Sequence, residues 1–254
     1  FYFDSGALDV DSDKAKKFGK KLGLSEKKSY GSWEEMLEKE KKIKTSKRLD
    51  LVTVATPNST HFEITKSFLT EGFNVLCEKP LTMTVKEARQ LVKLAKAKGK
   101  ICAVNYGYTG YPLVRQMRSM VLNGDLGDLR VVFAEFAGGF MADSSDSDNP
   151  RVKWRFTAKH AGMAAITIDC GIHALNMACF VTNKKIVKVS SDFFSGIKSR
   201  ELEDDNLSSF RMEDDVAGRL WTSGLAIGRT HGLTLQVFGS KGGLSWKQEQ
   251  PNQL

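Results

Sequence analysis

The chain has 254 residues, of which 38 are basic and 30 acidic, so its formal net charge is +8. Hydrophobic residues make up 41% and charged residues 27%, which excludes collagen, a disulfide scaffold and a wholly disordered chain. No apolar run approaches the ~20 residues of a membrane-spanning helix, and no signal peptide is visible, so we expect no membrane association. The four scattered cysteines form no Cys-x-x-Cys pair, which predicts free thiols in a reducing compartment, the cytoplasm.

The positive charge is concentrated between Lys14 and Arg48, where thirteen basic residues face five acidic ones. Such a patch can bind nucleic acid. However, no aromatic residues alternate with the lysines to stack on bases, and lysine outnumbers arginine. We therefore expect a solvated helix face and no nucleic-acid partner.

The first half of the chain alternates short apolar runs with helical patterns. Capping residues predict helices that begin near Asp11, Ser32, Ser59 and Thr84, and the last of these should turn Ala88, Leu91, Val92 and Ala95 inward. Strands are predicted at Gly6–Leu8, Leu49–Ala55, Asn74–Cys77 and Ile101–Val104. This alternation is typical of βαβ units on a parallel sheet, as in a Rossmann-type domain.

After Asn105 the pattern changes to that of an α+β domain with a large, mostly antiparallel open sheet. Helices are predicted from Tyr111 to Asn123 and over 164–181, and a polar loop over 138–160. Strands are predicted at Leu129–Phe136, Ile186–Phe194, Asn206–Met212, Val216–Trp221 and Leu233–Phe238, with a glycine-rich hairpin at Gly239–Gly243. The aspartates of the polar loop lack the EF-hand pattern, so we expect no calcium site.

Three short segments carry groups that could do chemistry. Thr56-Pro57-Asn58 follows a predicted strand and leads into a helix, where ligands of open parallel sheets bind. Glu78-Lys79-Pro80 follows the next strand, although charged residues are common in such loops. Asp169 and His173 lie four residues apart, so on a helix they share one face. This pair fits either general acid–base catalysis or a structural hydrogen bond, and it lacks the third ligand of a catalytic zinc site.

Taken together, these segments resemble the Gfo/Idh/MocA family of NAD(P)-dependent oxidoreductases (glucose–fructose oxidoreductase and inositol dehydrogenase). The matching segments, in chain order, are Gly6–Asp11, Ala55–His61, Glu78–Leu81, Gly124–Gly127, Trp154-Arg155 and Asp169-x-Gly171-x-His173. Their order and spacing are more specific than any single segment.

The resemblance implies a Rossmann-like NAD(P)-binding domain over 1–107 and a substrate-binding and oligomerisation domain over 108–254. It also implies a homo-oligomer, a dimer or a tetramer, formed through the C-terminal sheet. The implied cofactor-binding residues are Asp9, Ala55, Thr56, Pro57, Asn58, His61, Glu78, Lys79 and Asn105. A carboxylate at Asp9 favours NAD over NADP, since it would repel a 2′-phosphate.

The implied reaction is hydride transfer between the nicotinamide and a hydroxyl or carbonyl carbon of a sugar, cyclitol or related polyol. Lys79, Asp169 and His173 would be the catalytic residues, with His173 as the general base and Lys79 stabilising negative charge on the reacting oxygen. Lys79, Trp154, Arg155, Asp169 and His173 would line the substrate, and no metal is implied.

The chain also departs from the family pattern. No Gly-x-Gly-x-x-Gly turn occurs, so we expect a chain truncated at both ends that lacks the first strand and the pyrophosphate site. Tyr108-Thr109 stands where the family often has two arginines, and Asn176 where it has a carboxylate. These differences favour an unusual substrate. They also keep open a catalytically silent Rossmann-like binding or scaffold protein.

Overall fold

A computed structural model describes residues 3–7, 9, 11–149 and 153–254, with only the backbone described at Asp146. The described residues divide into two compact units. The first takes the chain up to Thr56 together with Thr60–Asn105, and the second takes Pro57–Ser59 together with Tyr106–Leu254. The strand predicted around Leu8 falls partly outside the described residues.

The first unit is built on a parallel sheet, as predicted. Its strands are β1 (Val52–Val54), β2 (Val75–Glu78) and β3 (Cys102–Asn105), in that spatial order. All are parallel, with Val52 opposite Val75 and Val75 opposite Cys102. Gly6 and Ser29 form a separate parallel bridge, which no ladder joins to β1 within the described ranges.

The helices of the first unit begin at the predicted caps. They are α1 (Ser12–Lys21), α2 (Trp33–Glu40), α3 (His61–Thr70) and α4 (Val85–Lys98). Thr84 and Glu87 form both bonds of a capping box, whereas Glu35 accepts from the Gly31 N–H instead of from Ser32. The prediction for Val92 is wrong: it is 52% exposed, because Leu91 and Ala95 define the buried stripe and Val92 lies about 100° around the helix from Leu91.

The second unit contains a six-stranded sheet in the order β5-β6-β7-β4-β8-β9. The strands are β4 (Leu129–Ala137), β5 (Ile186–Phe194), β6 (Asp205–Met212), β7 (Ala217–Ser223), β8 (Leu233–Gly239) and β9 (Gly243–Lys247). The β4–β7 pair is parallel and the other pairs are antiparallel, so the predicted mostly antiparallel sheet is confirmed. The predicted hairpin joins β8 to β9.

One face of this sheet is covered by helices. These are α5 (Pro112–Leu122), a π-helical turn (Thr167–Gly171) and α7 (Ile172–Thr182), whereas the short α6 (Ala158–Ala161) packs in a separate small cluster with Leu202. Met177 and Ala178 of α7 are fully buried in the same cluster as Ala134 of β4 and Leu235 of β8. The predicted helix over 164–181 is therefore present, but its first turn is widened. That widened turn carries Asp169.

A buried ion pair holds the loop that precedes β6. Arg200 and Asp204 both have fully buried side chains, and Arg200 Nη1 lies 3.2 Å from Asp204 Oδ2. Arg200 also donates to the carbonyl oxygens of Met141 and Asp143. The pair therefore joins the loop before β6 to the backbone at Met141 and Asp143.

We expect Arg200→Met to lower the free energy of unfolding by about 3–5 kcal/mol, because it leaves the Asp204 carboxylate buried without its cation. Arg211→Met is the matched control, since Arg211 pairs with the exposed Asp215 and its loss should cost little. Urea unfolding of both variants measures the difference. Equal losses in the two variants would contradict the prediction.

Candidate active site

The carboxyl ends of the three parallel strands gather polar side chains at one edge of the first sheet. Thr56 follows β1, Glu78 ends β2 and Asn105 ends β3. Glu78 and Asn105 are register partners, and Asn105 Nδ2 donates to Glu78 Oε1 over 2.6 Å. Both lie among the predicted cofactor-binding residues. The exposed Ala55 lies at the same edge.

Lys79 follows β2 directly and is half-buried. Its backbone N–H donates to Glu78 Oε2 over 3.3 Å, and the peptide bond to the buried Pro80 is cis. The lysine therefore leaves the sheet at the strand end, as its sequence position predicts.

His61, a predicted cofactor-binding residue, is fully buried in the first unit. It is 0% exposed, with Nε2 2.8 Å from the Thr56 carbonyl oxygen and Nδ1 2.7 Å from the Pro80 carbonyl oxygen. The imidazole joins two loops, and its contact with the cofactor stays a prediction.

The remaining predicted cofactor residues have distinct settings. Pro57 and Asn58 belong to the second unit, where the buried Asn58 donates through Nδ2 to the Ala161 carbonyl over 3.2 Å. Asp9 is half-exposed and accepts the Asp11 N–H through Oδ1 over 2.9 Å. The second oxygen of this carboxylate can still accept from a ligand hydroxyl.

In the second unit, Asp169 lies in the π-helical turn and His173 lies in the first turn of α7. Asp169 Oδ2 accepts from Arg155 Nε over 3.1 Å, and the Arg155 guanidinium stacks 4.6 Å from the Trp154 ring. Arg155 therefore contacts both Trp154 and Asp169, so these three predicted substrate residues lie together.

The turn that carries Asp169 is anchored by a carboxylate. Glu203 is nearly fully buried and accepts the backbone N–H groups of Ala165 and Thr167 over 2.9 and 3.0 Å. Backbone donors at a helix start favour such an anion. Glu203 therefore fixes the start of the segment that presents Asp169.

Aromatic rings surround His173, and the sequence pattern did not single them out. The centroid of Tyr108 lies 4.7 Å from that of His173, and those of Tyr106 and Phe136 lie at 6.0 and 6.2 Å. The Tyr108 hydroxyl also lies 3.0 Å from Nε2 of His231. Tyr108 is the residue that departs from the family pattern, which was a usable signal, whereas the loop position of His231 gave none.

Burial raises the pKa of Tyr108 to about 12. Because the folded pKa lies above the ordinary value of 10.0, the neutral phenol contributes stability below about pH 10 that is lost as the pH rises toward 12. We therefore expect Tyr108→Phe to lose less free energy of unfolding than the wild type between about pH 9 and about pH 11.5. Urea unfolding at both pH values measures this. Tyr111→Phe, in the neighbouring stacked ring, controls for hydroxyl removal, and an equal flattening there would contradict the assignment.

Among the residues that the structure describes, no group of three or more His, Cys, Asp or Glu side chains is arranged to hold a metal ion. Nor does any helix described here have the length and apolar character needed to cross a bilayer.

The fold and these side chains define an α/β protein with a Rossmann-type parallel sheet and a second unit of mostly antiparallel strands. The sequence matches the family model described as "Oxidoreductase family, NAD-binding Rossmann fold" over residues 5–106, and the "GFO/IDH/MocA C-terminal domain" over residues 114–245. The chain belongs to the Gfo/Idh/MocA family of NAD-binding oxidoreductases.

Known relatives resemble the chain over its whole length. The "Uncharacterized oxidoreductase YfiI" of Bacillus subtilis is 35% identical over 100% of this chain and 65% of its own length. An inositol dehydrogenase homolog from Azotobacter vinelandii complexed with NAD+ has a TM-score of 0.95 at 35% identity, covering 99% of this chain and 65% of that one. Its complex with NADH and myo-inositol gives 0.91 at 34%, covering 99% and 64%. The chain thus spans just under two thirds of these proteins.

Proposed function

We propose that the protein is an NAD-dependent dehydrogenase that oxidises a secondary alcohol of a sugar, cyclitol or related polyol. The observation that carries the proposal is the contact of Arg155 with Asp169, four residues before His173 at the start of α7, in a chain of an NAD-binding family. A polyol offers hydroxyl groups that both donate and accept hydrogen bonds, which suits a carboxylate, a guanidinium and an imidazole. The structural relative bound to NADH and myo-inositol supports the same substrate class.

The donor set at the strand ends fits a nicotinamide dinucleotide. We propose that Thr56, Glu78, Lys79 and Asn105 contact its ribose and phosphate groups, together with Ala55 and Pro57. Asp9 would accept the adenosine ribose hydroxyls, and its charge favours NAD over NADP. When bound, the nicotinamide takes or returns the hydride, and this chemistry belongs to the cofactor.

The protein's own residues would accept the hydroxyl proton and stabilise the negative charge on the reacting oxygen. His173 accepts the hydroxyl proton as general base, and Lys79 donates a hydrogen bond to the reacting oxygen as negative charge develops there. Asp169, held by Arg155, fixes a substrate hydroxyl. Trp154 supplies an apolar wall beside it.

The outer face of the six-stranded sheet is proposed as the surface that forms a dimer or tetramer. The register places Phe133, Leu207, Trp221 and Phe238 on one side of the sheet, and Phe133, Leu207 and Phe238 are each more than 40% exposed. Several exposed apolar side chains on one face of a sheet are typical of an interface. Light scattering of Leu207→Glu beside the wild type tests it, since a charge there should shift the mass toward the monomer.

The remaining proposals concern a nucleic-acid partner and the cellular compartment. The lysines of α1 are exposed, in keeping with a solvated face and no nucleic-acid partner. The four free cysteines support a cytoplasmic location. A gel shift that weakens steeply with salt would contradict the absence of a nucleic-acid partner.

The second candidate function is a catalytically silent binding or scaffold protein, favoured by the absence of a Gly-x-Gly-x-x-Gly turn from these 254 residues. Calorimetric titration with NAD+ and NADP+, of this chain and of a version extended by a first βα unit, separates the two. Binding of NAD+ with turnover of a polyol supports the dehydrogenase. If neither version binds a nicotinamide nucleotide, the scaffold function replaces it.

A further inference from the structure

The buried ring of His61 has no role in the chemistry proposed above, yet it makes two short polar contacts inside the first unit. Its Nε2 lies 2.8 Å from the Thr56 carbonyl oxygen and its Nδ1 lies 2.7 Å from the Pro80 carbonyl oxygen. The side chain is 0% exposed. A histidine that binds only main-chain carbonyls in a core is placed to hold backbone in position.

The two carbonyls belong to loops with separate tasks. Thr56 follows β1, at the edge where cofactor contacts are proposed, and Pro80 follows Lys79 at the end of β2. Since β1 and β2 are neighbouring parallel strands, both loops leave the same edge of the sheet. The imidazole therefore links the loop at Thr56 (the Thr56 loop) to the turn at Lys79 and Pro80 (the lysine turn). We call this link the brace.

The helix explains why the ring points there. His61 is the first residue of α3, and side chains on a helix lean toward its N-terminus, which here faces the end of β1. Ile64 and Phe68, three and seven residues on, are buried on the same face, so the whole stripe is anchored in the core. Carbonyl oxygens only accept, so the imidazole donates to these loops through the ring nitrogens that carry a hydrogen.

We propose that His61 is a positioning residue that sets the position of Lys79 relative to the Thr56 loop, and so governs turnover. This proposal rests on the dehydrogenase function proposed above. Displacing a catalytic group by about 1 Å can cost on the order of 100-fold in rate. Loss of the brace should therefore lower kcat by more than any loss of folded protein would explain.

Three substitutions separate the two bonds. In His61→Asn, the amide nitrogen takes the place of Nδ1 and can still donate to Pro80. In His61→Gln, it takes the place of Nε2 and can still donate to Thr56, whereas His61→Leu removes both bonds. Phe68→Leu is the control, because it loosens the same buried face of α3 without touching either carbonyl.

Steady-state kinetics with NAD+ and a turned-over polyol give the first readout. We expect His61→Leu to lower kcat about 10- to 100-fold, His61→Asn to restore most of it and His61→Gln to restore less, because only the Pro80 bond holds the lysine turn directly. Phe68→Leu should match His61→Leu in stability but retain kcat. Unchanged kcat in His61→Leu, or equal loss in Phe68→Leu, would overturn the proposal.

Deuterium uptake over residues 78–84 is independent of activity and separates this proposal from the proposed function. We expect His61→Leu to speed exchange in that segment and Phe68→Leu to leave it unchanged. If the wild type turns over no substrate, the dehydrogenase function is refuted. The exchange result then tests by itself whether His61 holds the lysine turn. Equal exchange in all variants refutes the brace whatever the activity.

Discussion

Replacing Lys79 by methionine is expected to lower kcat by about 10²–10³-fold, the usual cost of removing one hydrogen-bond donor from a developing oxyanion. The substitution keeps an unbranched side chain, shorter by one atom, and removes its charge and its N–H donors. Because the Glu78 carboxylate accepts the backbone N–H of Lys79, the turn itself should persist. The free energy of unfolding should therefore change little.

The measurement is the rate of NADH formation at saturating polyol, together with the Kd for NAD+ from calorimetry. A loss confined to kcat identifies a group that acts in the transition state, whereas a matching loss of NAD+ affinity identifies a cofactor contact alone. Lys86→Met, on the exposed side of α4 in the same unit, is the control for charge removal. Full activity of Lys79→Met would exclude the proposed mechanism.

Replacing His173 by asparagine is expected to lower kcat by about 10²–10⁴-fold, the range for loss of a general acid–base group. Three aromatic rings surround this imidazole, so packing sets its position. Asparagine keeps a polar side chain there but cannot accept the substrate proton at neutral pH.

The pH profile of kcat/KM distinguishes a base from a structural residue. In the wild type, kcat/KM for alcohol oxidation should rise with pH as the imidazole loses its proton. This rising limb of the pH profile should be absent in His173→Asn. His160→Gln, on the short helix α6 in the same unit, is the matched control. A variant that keeps the same limb at a lower rate would assign His173 a structural role.

Much of the local structure could be predicted because it depends on residues close together in sequence. The Thr84–Glu87 capping box, the parallel strands and the hairpin at Gly239–Gly243 all form as their patterns indicate. Val92 shows the limit: its apolar type suggested burial, but the buried stripe of α4 runs through Leu91 and Ala95.

The sequence by itself determined the alternation of strands and helices, the position of Lys79 after a strand and the four-residue spacing of Asp169 and His173 on a helix, since capping and periodicity act over a few residues. The order and spacing of short segments indicated the family. Only the tertiary structure decided the burial of His61 between two carbonyls, the contact of Arg155 with Asp169 and the bond between Tyr108 and His231. The last of these joins residues 123 positions apart. Such pairs depend on sheet register and helix packing, which bring distant segments together and leave no periodic trace in the chain.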